Sequence, residues 1–219
     1  MGSATRPSAM ASSNISNVRQ GFFSDSEFRK VLANLPAHLQ DFALFGYLVG
    51  WRKGEIKSLL WDEVEADVIR LRAENSKNGE SRIVTFESGE LAELMERRKV
   101  ARTTKPATGE VLAKHIFHHN GEPIGDFRKA WASACKLAGV SERPFHDLRR
   151  TAVREMLRSG VHESTARKIS GHKTAFMLQR YNIQSETDIR EAMQLRETRI
   201  QTQQQENRLA VVPVTKVVQ

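Results

Sequence analysis

Apolar positions in this chain recur mostly with helical spacing and alternate only briefly. Residues 1–20, rich in Ser, Ala and Asn, show no apolar periodicity, and structure is expected to begin at Gly21-Phe22-Phe23. Ser24-Asp25-Ser26-Glu27 has the S-x-x-E spacing that satisfies free N–H groups at a helix start, so a first helix runs to about Leu35 and stops near Pro36. Leu39, Phe42, Ala43 and Phe45 to Val49 mark a second, heavily buried helix. A third short helix, about Arg52 to Leu60, exposes Lys53 and Lys57 while burying Ile56, Leu59 and Leu60. Two strands follow, Asp67 to Ala73 and Ser81 to Phe86, with Asn78-Gly79 as a tight turn because both residues tolerate positive φ. Helical patterns return at 88–100, 124–138, 147–159, 162–170, 174–180 and 186–206. Residues 101–123 read as a long connection, and the stretch from Leu209 onward reads as a strand-like tail. The fold class is mainly α with a small antiparallel β-sheet (α+β).

Composition narrows the possibilities. A hydrophobic fraction of 39% can fill a core and 27% charged residues give it a polar surface. No run approaches the ~18 apolar residues a membrane span needs, and the N-terminus lacks the apolar centre of a secretory signal. One cysteine, Cys135, excludes an intramolecular disulfide and a multi-cysteine zinc site, which favours a reducing, cytoplasmic setting. Cys135 itself lies on an apolar helix face and reads as core. The net charge of +8 favours a polyanionic partner, because each cation near a phosphate displaces a condensed counterion.

His146 and Arg149 stand at i and i+3, so both can meet one ligand, and the Arg149 fork matches two phosphate oxygens. Alone, that pair reads first as a solvated helix face with a capping Asp147. His172 follows in Ser170-Gly171-His172, and Tyr181 in Arg180-Tyr181-Asn182. A lone Tyr after a helix is commonly a packing residue; beside phosphate-binding groups it becomes a nucleophile candidate. Arg52 opens the third helix and Lys77 sits beside the turn. His115, His118 and His119 lack a matching carboxylate or cysteine spacing and read as a strand or loop beside the active site rather than a metal site.

The ordered set Arg52, Lys77, His146, Arg149, His172, Tyr181 resembles that of the tyrosine recombinases, the phage-integrase family, over about Gly21 to Met193. Gly50-Trp51-Arg52 through Leu60-Trp61 is similar to the family's first-arginine box, and Ser76 to Val84 to its lysine-bearing hairpin. Phe145-His146-Asp147-Leu148-Arg149-Arg150-Thr151 resembles the second box, and Gly171-His172-Lys173 with Arg180-Tyr181 the last.

The resemblance implies metal-free and ATP-free breakage and rejoining of double-stranded DNA, without a cofactor. Tyr181 would attack phosphorus to give a 3′-phosphotyrosine and a 5′-hydroxyl. Arg52 and Arg149 would hold the non-bridging oxygens, and Lys77 would protonate the leaving oxygen. His146 would orient or accept the tyrosine proton, and His172 would hydrogen-bond a phosphate oxygen. Glu55, one turn from Arg52, is expected to buttress His146 or Arg52, unless it is a simple helix ion pair.

The expected organisation is a flexible leader at 1–20, which could include residues foreign to the natural chain, a catalytic domain at 21–200 and a tail at 201–219. The tail is flexible or docks on a neighbouring protomer. Ile189, Ala192, Met193 and Leu195, between Tyr181 and the tail, give a partly apolar stripe that the resemblance implies docks on a neighbouring protomer in a homotetramer on DNA, unless it packs in cis; without DNA the chain is equally expected to be a monomer. Family members usually carry an N-terminal domain that clamps the opposite DNA face. Only about 20 unpatterned residues precede the catalytic region here, so binding should be weak and salt-sensitive. Three other functions compete: a topoisomerase with the same tyrosine chemistry, a DNA-binding regulator without recombinase activity, and, more distantly, a metal-dependent nuclease.

Overall fold

The structure is a computed structural model that describes residues 21–104, 109–140, 143–174 and 186–210. Helix α1 (Asp25–Ala33) starts on the expected capping box: the Ser24 hydroxyl accepts from the Glu27 N–H, and the Glu27 carboxylate accepts from the Ser24 N–H. Helix α2 (Ala37–Val49) buries Leu39, Phe42, Ala43, Leu44, Phe45, Gly46 and Val49, too many for one face, and is the axis of the core. Phe42 meets the rings of Phe117, Phe127 and Phe145 with centroids 5.2–5.7 Å away. Through Phe145, α2 therefore fixes the chain immediately before His146.

Helix α3 (Lys53–Ser58) leads into a three-stranded antiparallel sheet, β1 (Val64–Glu65), β2 (Val68–Leu71) and β3 (Arg82–Thr85), in the order β1-β2-β3. Cross-strand partners share a sheet face. Ile69 and Leu71 are fully buried, and their partners Val84 and Arg82 point the same way, leaving Ile83 52% exposed. Helix α4 (Gly89–Val100) follows. The expected plain connection at 101–123 holds two small ribbons among its described residues, β4 (Thr103–Thr104) with β5 (Val111–Leu112), and β6 (His118–His119) with β7 (Glu122–Pro123). Two-residue strands fall below the length at which alternation is readable. Helices α5 (Arg128–Leu137), α6 (Asp147–Arg158), α7 (Glu163–Ser170) and α8 (Glu186–Ala210) complete the mainly helical fold.

Two local expectations need correction. Asn78-Gly79 is not a two-residue turn: residues 72–81 separate β2 from β3 and include a 3-10 turn at Ala73–Asn75, and of the pair only Gly79 has positive φ. Asn78 is used for its side chain instead, as described below. The strand reading from Leu209 also fails at its start, since Leu209 and Ala210 end α8; residues 211–219 and the helical pattern at 175–180 lie outside the described residues.

Candidate active site

Arg52 is the residue from which α3 starts, and Glu55 lies one turn along. Glu55 is 2% exposed, and its carboxylate accepts from the Arg52 backbone N–H and from Arg52 Nη1, both at 2.8 Å. It also pairs with Arg82 Nη2 at 2.6 Å. Burial pushes the Glu55 pKa up, but the bonds from Arg52 and Arg82 outweigh it and hold the carboxyl below its usual value. Glu55 is thus paired with Arg52 at i and i+3, as both the buttress and the simple helix ion pair would have it, and its second cation is Arg82, not His146.

Arg149, in the first turn of α6, is buried. Its Nη1 donates to the Gly50 carbonyl at 2.8 Å and to the Ser170 carbonyl. Those carbonyls close α2 and α7, and both helices end on glycine in the left-handed conformation, Gly50 at φ +73° and Gly171 at φ +72°. A Cβ on Gly50 would lie 2.9 Å from that of Ala152, so the α2–α6 approach requires glycine as well.

His172 follows Gly171 directly and is buried. Its Nδ1 lies 2.8 Å from the Ser170 hydroxyl, which donates to the Ala166 carbonyl at 2.6 Å. Burial, then the charges of Arg149 and Arg52, push the His172 pKa down to about 3, so the ring is neutral at neutral pH. His146, at the start of α6, is shifted downward by desolvation and by Arg149, Arg150, Arg52 and Lys77.

Lys77 lies in the loop before β3. The neighbouring Asn78 amide accepts from Arg52 Nη2 at 3.4 Å and donates to the Gly171 carbonyl at 3.1 Å, tying the loop to two helix ends. Arg52, Lys77 and His146 line one open groove of about 1280 Å³, with Phe127, Trp131 and Phe145 among its apolar walls. Five of the six anticipated residues therefore converge on one region; Tyr181 lies outside the described residues.

The sequence profile of the phage integrase family matches residues 24–187. The chain belongs to the phage integrase family. It is 22% identical over 177 residues to the integrase of Salmonella phage P22, an alignment covering 75% of this chain and 44% of that protein. It is 24% identical over 182 residues to a XerC-like tyrosine recombinase of Caldanaerobacter subterraneus subsp. tengcongensis, covering 68% of this chain and 46% of the relative. The chain thus spans under half the length of both. In fold it is similar to XerA recombinase, with TM-score 0.63, 20% identity and coverage of 80% of this chain and 64% of that one. A lambda integrase tetramer bound to a Holliday junction gives TM-score 0.63 at 18% identity, covering 78% and 50%.

Within this integrase-family chain the three-histidine stretch includes strand β6, in keeping with the strand or loop expected, but His119 is placed differently. His119 stacks on His38, with ring centroids 4.1 Å apart, at the end of α2 remote from Gly50. It is not beside the active site. The sequence reading also missed three residues that hold the site together: Arg82, Asn78 and Ser170. A signal existed for Arg82, because pairing β3 with β2 puts an arginine in register with the core residue Leu71. Asn78 and Ser170 act through side-chain bonds to distant backbone, which no local pattern encodes.

Proposed function

We propose that this chain is the catalytic region of a site-specific DNA recombinase that breaks and rejoins double-stranded DNA through a 3′-phosphotyrosine. The observation that carries this reading is the convergence of Arg52, Lys77, His146, Arg149 and His172 in a member of the phage integrase family, with Tyr181 following in sequence. In this mechanism the Tyr181 oxygen attacks phosphorus as the bond to the 5′-oxygen breaks. His146, held below its ordinary pKa by burial and then by the surrounding cations, takes the tyrosine proton. Lys77 gives a proton to the departing 5′-oxygen. Arg52 and Arg149 stabilise the charge that grows on the non-bridging oxygens; loss of one such donor costs about 3–4 kcal/mol of transition-state stabilisation. His172 hydrogen-bonds a phosphate oxygen. The phosphotyrosine retains the bond energy, so another 5′-hydroxyl reseals the strand without ATP, and the reaction takes no metal.

The working assembly in this reading is a homotetramer on DNA. Ile189, Met193 and Leu195 on α8 are each more than half exposed, which suits docking on a neighbouring protomer. The test is a covalent-adduct assay in chelator: protein and negatively supercoiled plasmid are mixed and denatured, and protein linked to a 3′ DNA end is measured, with Tyr181→Phe alongside. An adduct in the wild type that vanishes in Tyr181→Phe is expected. An adduct that persists without the Tyr181 hydroxyl, or that forms only when a divalent metal is restored, overturns the mechanism.

A further inference from the structure

Arg82 is a buried cation that the reaction above does not use. Its side chain is 4% exposed and reaches three separate parts of the site. Nη2 pairs with Glu55 at 2.6 Å, and Glu55 holds Arg52. Nη1 donates at 2.8 Å to the Ser170 carbonyl, which also accepts from Arg149. The guanidinium lies 5.6 Å from the centroid of the Trp51 ring, and Trp51 Nε1 in turn donates to the Ile169 carbonyl at 2.6 Å. Gly171 leaves room for this arrangement, since a Cβ there would sit 1.5 Å from Arg82 Nη1.

Arg82 is also the first residue of β3, on the C-terminal side of the loop that carries Lys77. Asn78 ties the loop's outer part to Arg52 and to the Gly171 carbonyl. The loop is thus fastened twice to the same two helix ends, by Asn78 at a half-buried position and by Arg82 at the buried base. Lys77 lies between the body of the loop and these two anchors in sequence, and itself faces solvent.

We infer that Arg82 is a positioning residue that fixes the Lys77 loop against the Arg52 and Arg149 ends of the site, setting where the lysine ammonium meets a phosphodiester. The inference rests on the DNA-cleaving reading for its chemical part, but its mechanical part concerns the free protein. A lysine cannot replace this arginine: one ammonium keeps the charge and loses the fork that spans Glu55 and the Ser170 carbonyl.

Two measurements test it together on the full chain. The first is amide hydrogen exchange of residues 76–81 in wild type, Arg82→Gln, Arg82→Lys and Asn78→Ala. Faster exchange confined to this loop is expected in all three variants; unchanged exchange there overturns the inference. The second compares cleavage of a DNA duplex with oxygen or sulfur in the bridging 5′ position, at the site where the wild type forms its adduct. A thiolate departs without a proton, so sulfur bypasses the general acid. With oxygen, a misplaced lysine should slow cleavage by about 10²-fold. With sulfur, most of that loss should disappear in Arg82→Gln and Arg82→Lys, as in Lys77→Ala. A loss equally large with sulfur shows that Arg82 serves the arginines instead and refutes the assignment. If Arg82→Gln fails to fold, Arg82→Lys, which keeps the buried charge and loses the fork, carries both measurements. A wild type that forms no adduct defeats the DNA-cleaving reading, and the exchange experiment then decides the anchoring separately.

Discussion

Replacing Glu55 by Gln tests whether the buried carboxylate between two arginines stabilises the fold as its geometry requires. One carboxylate oxygen takes Arg52 Nη1 at 2.8 Å and Arg82 Nη2 at 2.6 Å, while the other accepts the Arg52 N–H at 2.8 Å. Glutamine offers one acceptor oxygen, so its NH₂ must face a donor wherever the amide is turned. Breaking a buried ion pair by removing one partner costs about 3–5 kcal/mol, most of it from the charge left behind. Arg52, with its side chain 21% exposed, can recover some hydration, whereas Arg82 at 4% cannot. The lower end, about 3 kcal/mol, is therefore expected, equivalent to roughly 6–12 °C in Tm for a chain of this size. Urea unfolding at pH 7 should show a lower midpoint with an unchanged slope. The carboxyl pKa is held below its ordinary 4.5 in the folded state. Its contribution is thus fully present above pH 4.5 and is lost as pH falls through the folded pKa, so the gap between wild type and Glu55→Gln must narrow in acid. Adding Arg82→Met to Glu55→Gln removes the stranded cation and should recover part of the loss. A Glu55→Gln penalty under about 1 kcal/mol, or a gap that stays constant down to low pH, would refute the reasoning.

Three further outcomes follow from the structure. His172, with a folded pKa of about 3 against an ordinary 6.5, should show no imidazole titration between about pH 5 and 8 by NMR. Its depressed pKa contributes stability that is complete above about pH 6.5 and declines as pH falls toward 3, and an inflection near neutrality would contradict the burial and the adjacent arginines. In the free protein the Ser170 hydroxyl gives its proton to Ala166 and accepts from His172 Nδ1–H. Donation from Nε2 to a phosphate requires the proton on Nε2, with the Ser170 hydroxyl turned to donate to Nδ1. Ring ¹⁵N shifts should therefore report a change of tautomer when DNA is added, and an unchanged Nδ1–H ring would contradict the phosphate contact. Phe42→Ala should cost about 3–5 kcal/mol in urea unfolding, since Phe42 is fully buried among three rings. A cost under about 1 kcal/mol would mean that the ring cluster does not hold Phe145, and with it the start of α6.

What was legible in the sequence divides along a physical line. Elements whose burial repeats over several turns were readable: α2, α4 and α6 begin and end within a few residues of the positions their apolar spacing predicts. The six candidates stood out because each has a characteristic side chain in a characteristic local word; five of them fall in the region where the helix ends meet, and Tyr181 lies outside the described residues. The ribbons at 103–123 were not legible, because two residues hold no period. The loop at 72–81 was misread because Asn-Gly marks a tight turn only when strands abut it directly; here Asn78 has negative φ and bonds across the site. Arg82 was overlooked because a charged residue beside Ile83 suggests an outward arginine and an inward isoleucine. Pairing with Leu71 inverts that order, and the buried Glu55 makes the inversion tolerable.

The arrangement also explains how several cations can be held together in one site. Arg52 and Arg82 share one buried carboxylate, Glu55, while Arg149 binds carbonyls beside them, and like charges gathered in one region repel. Part of the compensation comes from backbone. The Gly50 and Ser170 carbonyls, at the negative ends of α2 and α7, both face Arg149, and Ser170 also receives Arg82. A carbonyl stabilises a guanidinium through its dipole without cancelling its charge. The positive potential therefore survives for an incoming phosphate, while each arginine stays oriented. A second carboxylate in place of either carbonyl would hold the arginines just as firmly but remove one unit of that positive charge. Closing two helices on glycine at this place thus serves both packing and charge: the left-handed turn exposes the carbonyl, and the missing Cβ admits the neighbour that binds it.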